Sequence, residues 1–158
     1  MADVFDVAKY ILNKASGESI STFKLQKLVY YSQAWSLVWD DTPLFKNKIY
    51  AWANGPVCRD LYELHKGLFS IAASDFGYGD PTKLIEPAKA TIDLVLQSYA
   101  PFNGQQLSNL THTETPWMDA RKGIPIGERG EREITLDSMV EYYSAKYAEQ
   151  TANINGTP

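Results

Sequence analysis

A mainly α fold is what this sequence predicts: a compact helical domain around a buried central helix at about residues 21–39, with a small β element near 46–53. Three observations carry it. Between Phe23 and Trp39 the apolar residues cover nearly every side of a helical wheel, and Lys24 and Lys27 are the only charges before Asp40. A helix that is apolar all round is a buried one. The flanking segments at 3–15 and 136–149 are apolar at helical spacing along one side, as expected of helices packed onto a core. Between Lys46 and Ala53, Ile49, Tyr50 and Trp52 favour extended structure.

The elements follow in order. The first helix places Val4, Phe5, Ala8, Ile11, Leu12 and Ala15 inward and Asp6, Lys9 and Asn13 toward water; Ser16-Gly17 stops it. Ser21 or Thr22 caps the central helix. Asp40-Asp41-Thr42-Pro43 is a turn, and Asn54-Gly55-Pro56 ends the strand. Pro56 at a first helical position predicts a third helix from Val57 to about Gly67. A loop at 73–83 precedes a helix from Glu86-Pro87 through Tyr99. Two short helices or turns are expected at Leu107–Thr111 and Pro116–Arg121, then a polar surface loop at 122–133. The last helix, Leu136 to Glu149, turns Leu136, Met139, Val140, Tyr143 and Tyr147 inward. Residues 1–150 form one domain, and 151–158 a flexible tail with no core residues.

Composition bounds the function. The chain has 158 residues and a net charge of -4, which argues against reliance on broad phosphate binding. One cysteine cannot form an internal disulfide. Two acids near the N-terminus do not fit a secretory signal, and the longest largely apolar run, Ala34–Trp39, is far short of the roughly 20 residues that span a bilayer. The expectation is a cytoplasmic protein with no membrane partner. Aromatic residues are 13% of the chain; most belong in a core, and Trp and Tyr also favour interfaces.

Catalytic constellations fail on inspection. Cys58, His65 and His112 lack paired zinc-ligand spacing, so neither metal nor other cofactor is expected. His112-Thr113-Glu114 resembles part of a deaminase pattern, but no Pro-Cys-x-x-Cys follows. There is no Gly-Lys-Ser/Thr, and Gly77-Tyr78-Gly79 is an incomplete glycine fingerprint. Cys58 sits near a helix start, yet His65 lies seven residues on, about 10 Å along a helix. A helix-turn-helix at 16–25 would have to offer polar side chains to DNA, and this helix offers Leu, Val, Tyr and Trp.

Two dense signatures remain: Ala51 to Val57, with Trp52, Asn54, Gly55 and Pro56, and Leu107 to Trp117, with Thr111, His112, Glu114 and Trp117. Each is either local structure or a rigid aromatic surface for a partner. The strand-turn with Tyr50, Trp52, Asn54 and Arg59 is expected beside the Thr111–Arg121 segment. His112 is expected to brace the fold, and Arg121 to contact a partner.

These blocks, with Asp6–Leu12, Lys24–Ala34, Leu61-Tyr62 and Ala120-Arg121, resemble the Panacea antitoxin domain, the phage-associated GepA or SocA-like family, over about residues 3 to 147. The resemblance implies a mostly helical antitoxin that binds a cognate toxin directly, encoded by a neighbouring gene. Family toxins include small alarmone-synthetase-like enzymes. The alternatives are a proteolytic adaptor that delivers the toxin, and a DNA-binding regulator. An enzyme is not expected, and nucleic acid is not the expected partner. An acidic antitoxin suits a basic toxin.

Overall fold

Polar residues at chosen points, more than apolar ones, set how these helices are connected. The computed structural model describes residues 2–155, with side chains through 152. Helix α1 (Val4–Lys14) begins at Asp3, whose carboxylate accepts from the Phe5 and Asp6 amides while Asp6 accepts from the Asp3 amide. Asp6 is buried rather than on the wet face, because its second oxygen accepts from the Asp80 amide at 2.7 Å. That contact ties the 73–83 loop back onto α1.

Strand β1 (Ile20–Ser21) leads into helix α2 (Thr22–Trp39), with Ser21 as its cap, accepting from the Lys24 amide. Fourteen of the eighteen residues of α2 are buried. Leu25, Leu28, Val29 and Ala34 pack in the hydrophobic core. The buried polar residues of α2 instead hold backbone. Gln33 donates to Phe45 O and accepts from the Leu44 amide; Ser36 donates to Thr42 O. These bonds fold the 40–48 loop along the helix.

Strands β2 (Ile49–Trp52) and β3 (Gly55–Cys58) form a tight antiparallel hairpin, with Tyr50 opposite Val57 and Ala51 opposite Pro56. Here the structure corrects the expectation of a helix from Val57. Helix α3 runs only from Arg59 to His65. Pro56 serves an edge strand, where its missing N–H breaks no ladder bond. The other edge of β2 pairs with β5 (Glu133–Ile134). Strand β4 (Ser70–Ile71) pairs with β1.

Helix α4 (Glu86–Tyr99) lies along α2, and Asn103 caps α5 (Gly104–Thr111). Helix α6 (Thr115–Ala120) and the loop that follows lead to β5 and to α7 (Leu136–Asn155). Helical backbone continues past Glu149 to Asn155, so part of the expected tail is helix; residues 156–158 lie outside those described. On α7 only part of the expected inner face is buried. Met139 and Tyr143 enter the core, while Leu136, Val140 and Tyr147 remain exposed. The fold is mainly α with a small antiparallel β component. Among the described residues, no helix is long and apolar enough to cross a membrane.

Candidate functional site

The structure brings the two dense signatures together. Four consecutive carbonyls of the β2–β3 turn each meet a side chain from α5, α6 or the residue just after. Ala51 O accepts from Arg121 Nη1 at 3.0 Å, and Trp52 O from Trp117 Nε1 at 2.9 Å. Ala53 O lies 3.2 Å from His112 Nε2, and Asn54 O accepts from Ser108 Oγ at 2.6 Å. A turn at a sheet end would ordinarily leave such groups to water. Here they are held by a second element distant in sequence, which makes the hairpin a rigid platform.

The clamping side chains also pack on one another. The His112 and Trp117 ring centroids are 3.9 Å apart, and the Arg121 guanidinium carbon sits 5.4 Å from the Trp117 ring. His112 also meets Ser108 O through Nδ1. Arg121 is buried and, besides Ala51 O, bonds to Pro125 O and Glu128 O, so it fastens the 122–130 loop to the hairpin. Thr111 is buried and donates to Ser108 O.

Glu114 occupies a place that its sequence position did not announce. It precedes α6 but makes no side-chain cap there. Its buried carboxylate accepts from Tyr31 Oη at 2.7 Å and Tyr143 Oη at 2.8 Å, with Lys146 Nζ at 3.4 Å. Tyr30 Oη lies 3.1 Å from Tyr143 Oη. The cluster joins α2, α6 and α7 through one carboxylate. Burial pushes the Tyr30, Tyr31 and Tyr143 hydroxyls well above their ordinary range, and the Glu114 charge adds to it.

On the opposite side of the hairpin, α2 supplies Gln26 and Lys27. Gln26 makes a paired clasp on Cys58, accepting from its amide at 2.9 Å and donating to its carbonyl at 3.2 Å. Gln26 Nε2 also lies 2.9 Å from His65 Nε2, so that ring nitrogen is an acceptor. Burial pushes the Cys58 thiol up to about 11 and His65 down. A neutral thiol beside an imidazole already engaged by an amide is not a nucleophile–base pair. Lys27 is fully buried and donates to Pro56 O at 3.1 Å. Gly55 (φ +122°) permits that approach: a Cβ there would stand 2.7 Å from Lys27 Cε.

Of the expected site residues, Gly55, Pro56, Thr111, Glu114, Trp117 and Arg121 are buried, and His112 is half-buried. Tyr50 and Trp52 are half-buried, while Asn54 and Arg59 are exposed. Among the described residues, no group of metal-ligating side chains comes together.

Ser108, His112 and Trp117, the hairpin and most of α2 all fall within a stretch matched by one family profile, described as Antitoxin SocA-like, Panacea domain, over residues 25–118. The chain belongs to this SocA-like antitoxin family. The Panacea match takes in the hairpin and three of its four clamping side chains; Arg121 lies just beyond it. Comparison with curated proteins and with solved structures gives no significant match. Within the Panacea region α2 is enclosed by the helices around it, so it is not free to enter a DNA groove.

Proposed function

We propose that this protein is an antitoxin that neutralises a cognate toxin, encoded by a neighbouring gene, by binding it directly. Membership of the SocA-like antitoxin family carries this reading. The hairpin supports it as the contact face. Its backbone is fixed by side chains behind it, while Asn54 and Arg59 stand in solvent with Tyr50 and Trp52 half-exposed between them. A prefixed surface loses little entropy on binding, and Trp, Tyr and Arg are the residues enriched at interface hot spots. Among the described residues the Arg59 side chain is held by a surface ion pair to Glu131 at 3.9 Å, so it can be redirected to a partner at small cost.

The test is co-expression with the neighbouring gene product, scoring growth and complex formation by gel filtration. Rescue with a stable complex, burying at least about 1,000 Å², is expected. Asn54→Lys and Arg59→Glu proteins should keep the parent melting temperature and lose the complex. Rescue without any complex would replace direct binding by an enzymatic antidote or transcriptional control. A complex untouched by both substitutions would move the contact face elsewhere.

A further inference from the structure

A cavity of about 490 Å³ opens between α2, the hairpin, α3 and the 127–131 loop. That is within the size range of small-molecule sites, roughly 300–1,000 Å³. Its walls are aromatic: Phe23, Trp52 and Tyr62, with the Trp52 and Tyr62 rings edge to face at 4.9 Å. Its floor is polar and buried, made by Gln26, Lys27 and His65.

Two donors here lack acceptors. Lys27 carries three N–H bonds, of which Pro56 O takes one; its ammonium otherwise sits 4.3 Å over the Phe23 ring, and among the described residues it has no ion pair. The Trp52 Nε1 hydrogen is buried with no hydrogen-bond partner among the described residues. Buried polar groups are almost always paired, so an unpartnered tryptophan N–H and an incompletely partnered lysine, both on residues that line one cavity, call for an acceptor. Gln26 and His65 supply none, since each is engaged with the other or with Cys58.

We infer that this cavity is a binding site for a small monoanionic carboxylate with a flat apolar body, its carboxylate between Lys27 Nζ and Trp52 Nε1 and its body among Phe23, Trp52 and Tyr62. The charges on the lining set the valence. With Lys27 protonated, Lys27 and Arg129 are the cations of the lining and Glu131, itself paired with Arg59, the anion, so a single negative charge on the ligand matches the lining. A carboxylate offers two acceptor oxygens in one plane, one for each open donor. The cavity shares Trp52 and Asn54 with the hairpin face of the toxin reading, but the ligand assignment does not depend on that reading.

Benzoate and phenylacetate are the probes, with benzyl alcohol as the neutral control and inorganic phosphate as the dianion. Binding is read from the Trp52 indole N–H resonance in a ¹⁵N-labelled protein. The aromatic acids should shift that resonance saturably, and benzyl alcohol and phosphate should not. Lys27→Met should weaken the acids about 10–100-fold, the worth of a charge-assisted hydrogen bond, in a protein that melts no lower than the parent. Trp52→Phe, followed by changes at Tyr62, should also weaken them while keeping the ring. No saturable shift with either acid would overturn the assignment and leave Lys27 as a structural tie to Pro56. Equal affinity in Lys27→Met, or tighter binding of phosphate than of the acids, would overturn it as well.

Discussion

The Trp117 indole N–H donates to the carbonyl oxygen of Trp52, 65 residues away in sequence, at 2.9 Å. One tryptophan thereby fixes the backbone of another whose ring faces the opposite side, toward the cavity and Tyr62. The relationship separates two roles in what looked like one aromatic cluster: Trp117 holds and Trp52 presents.

Trp117→Phe tests the holding role while keeping an aromatic ring, at the added cost of the smaller side chain in a buried site. It removes the N–H and leaves Trp52 O without its donor, so a loss of about 1–3 kcal/mol is expected, the cost of an unsatisfied buried group. Urea denaturation followed by circular dichroism measures it. An unchanged midpoint would mean that water replaces the indole and the clamp adds nothing.

Arg121→Ala should destabilise in the same direction, since three carbonyls, on Ala51, Pro125 and Glu128, lose their donor at once. The expected loss is about 2–4 kcal/mol, with toxin neutralisation falling only as far as unfolding takes it. A variant of parental stability that fails to neutralise would restore a direct contact role for Arg121.

The Glu114 cluster makes a sharper demand. Glu114→Ala strands the Tyr31 hydroxyl in the core, leaves Tyr143 with Tyr30 in place of a carboxylate, and should cost about 2–5 kcal/mol. Tyr143→Phe, which keeps the ring and removes one hydroxyl, should cost about 1–2 kcal/mol. Thermal melts of both proteins decide it. A Glu114→Ala protein as stable as Tyr143→Phe would show that the carboxylate is not the centre of the cluster.

Much of this fold was legible from periodicity. The buried central helix, its start at Ser21 or Thr22 and a strand within 46–53 all follow from local pattern; for the helix, an all-round apolar wheel has one stable environment. Pro56 was misleading because proline fits both a helix start and an edge strand, and only the partner strand distinguishes them. Asp6 was misplaced, and the interior ties of Arg121 went unseen, for a related reason. A charged residue reads as exposed unless its partners are known, and theirs are backbone groups of distant loops. The tie between Glu114 and Tyr143 left no local trace at all. Lys27 did leave one, a charge in the middle of a helix with no polar face.

Gly55 packs tightly against Lys27 of α2. Gly55→Ala should lose about 1–3 kcal/mol, combining a strained positive φ with a methyl driven against the Lys27 stem. Coupling makes the prediction specific. In a Gly55→Ala, Lys27→Ala double variant the clash with the Lys27 stem should vanish, leaving only the closer fit against Thr111, and the two losses should not add. Strict additivity in a denaturation cycle would show that Lys27 is not what excludes the side chain.

Lys27 also shapes how stability depends on pH. Burial pushes its ammonium down to about 7 in the folded protein, from an ordinary value of 10.5. Between those values the unfolded chain holds a proton that the folded chain has shed. Stability therefore rises with pH through this window, by at most about 1.4 kcal/mol per pH unit for one group. The charged and titratable groups that face Lys27 are His65 from α3 and Arg129 and Glu131 from the loop. His65, held below its ordinary 6.5, adds a rise of the same sign only at lower pH. The buried tyrosines act in the opposite direction. Their raised hydroxyls keep protons that the unfolded chain releases above about pH 10, so their contribution is full below that value and lost above it. The parent should gain stability from pH 7 toward 10 and then lose it, as read from urea midpoints at unit steps of pH. Lys27→Met should be at least as stable as the parent at pH 7, because a buried cation without a counter-charge is replaced by an apolar chain. It should also lose the rise between pH 7 and 10 while keeping the fall above it. An unaltered rise in that variant would mean that Lys27 keeps its proton when folded, and that the group responsible lies elsewhere.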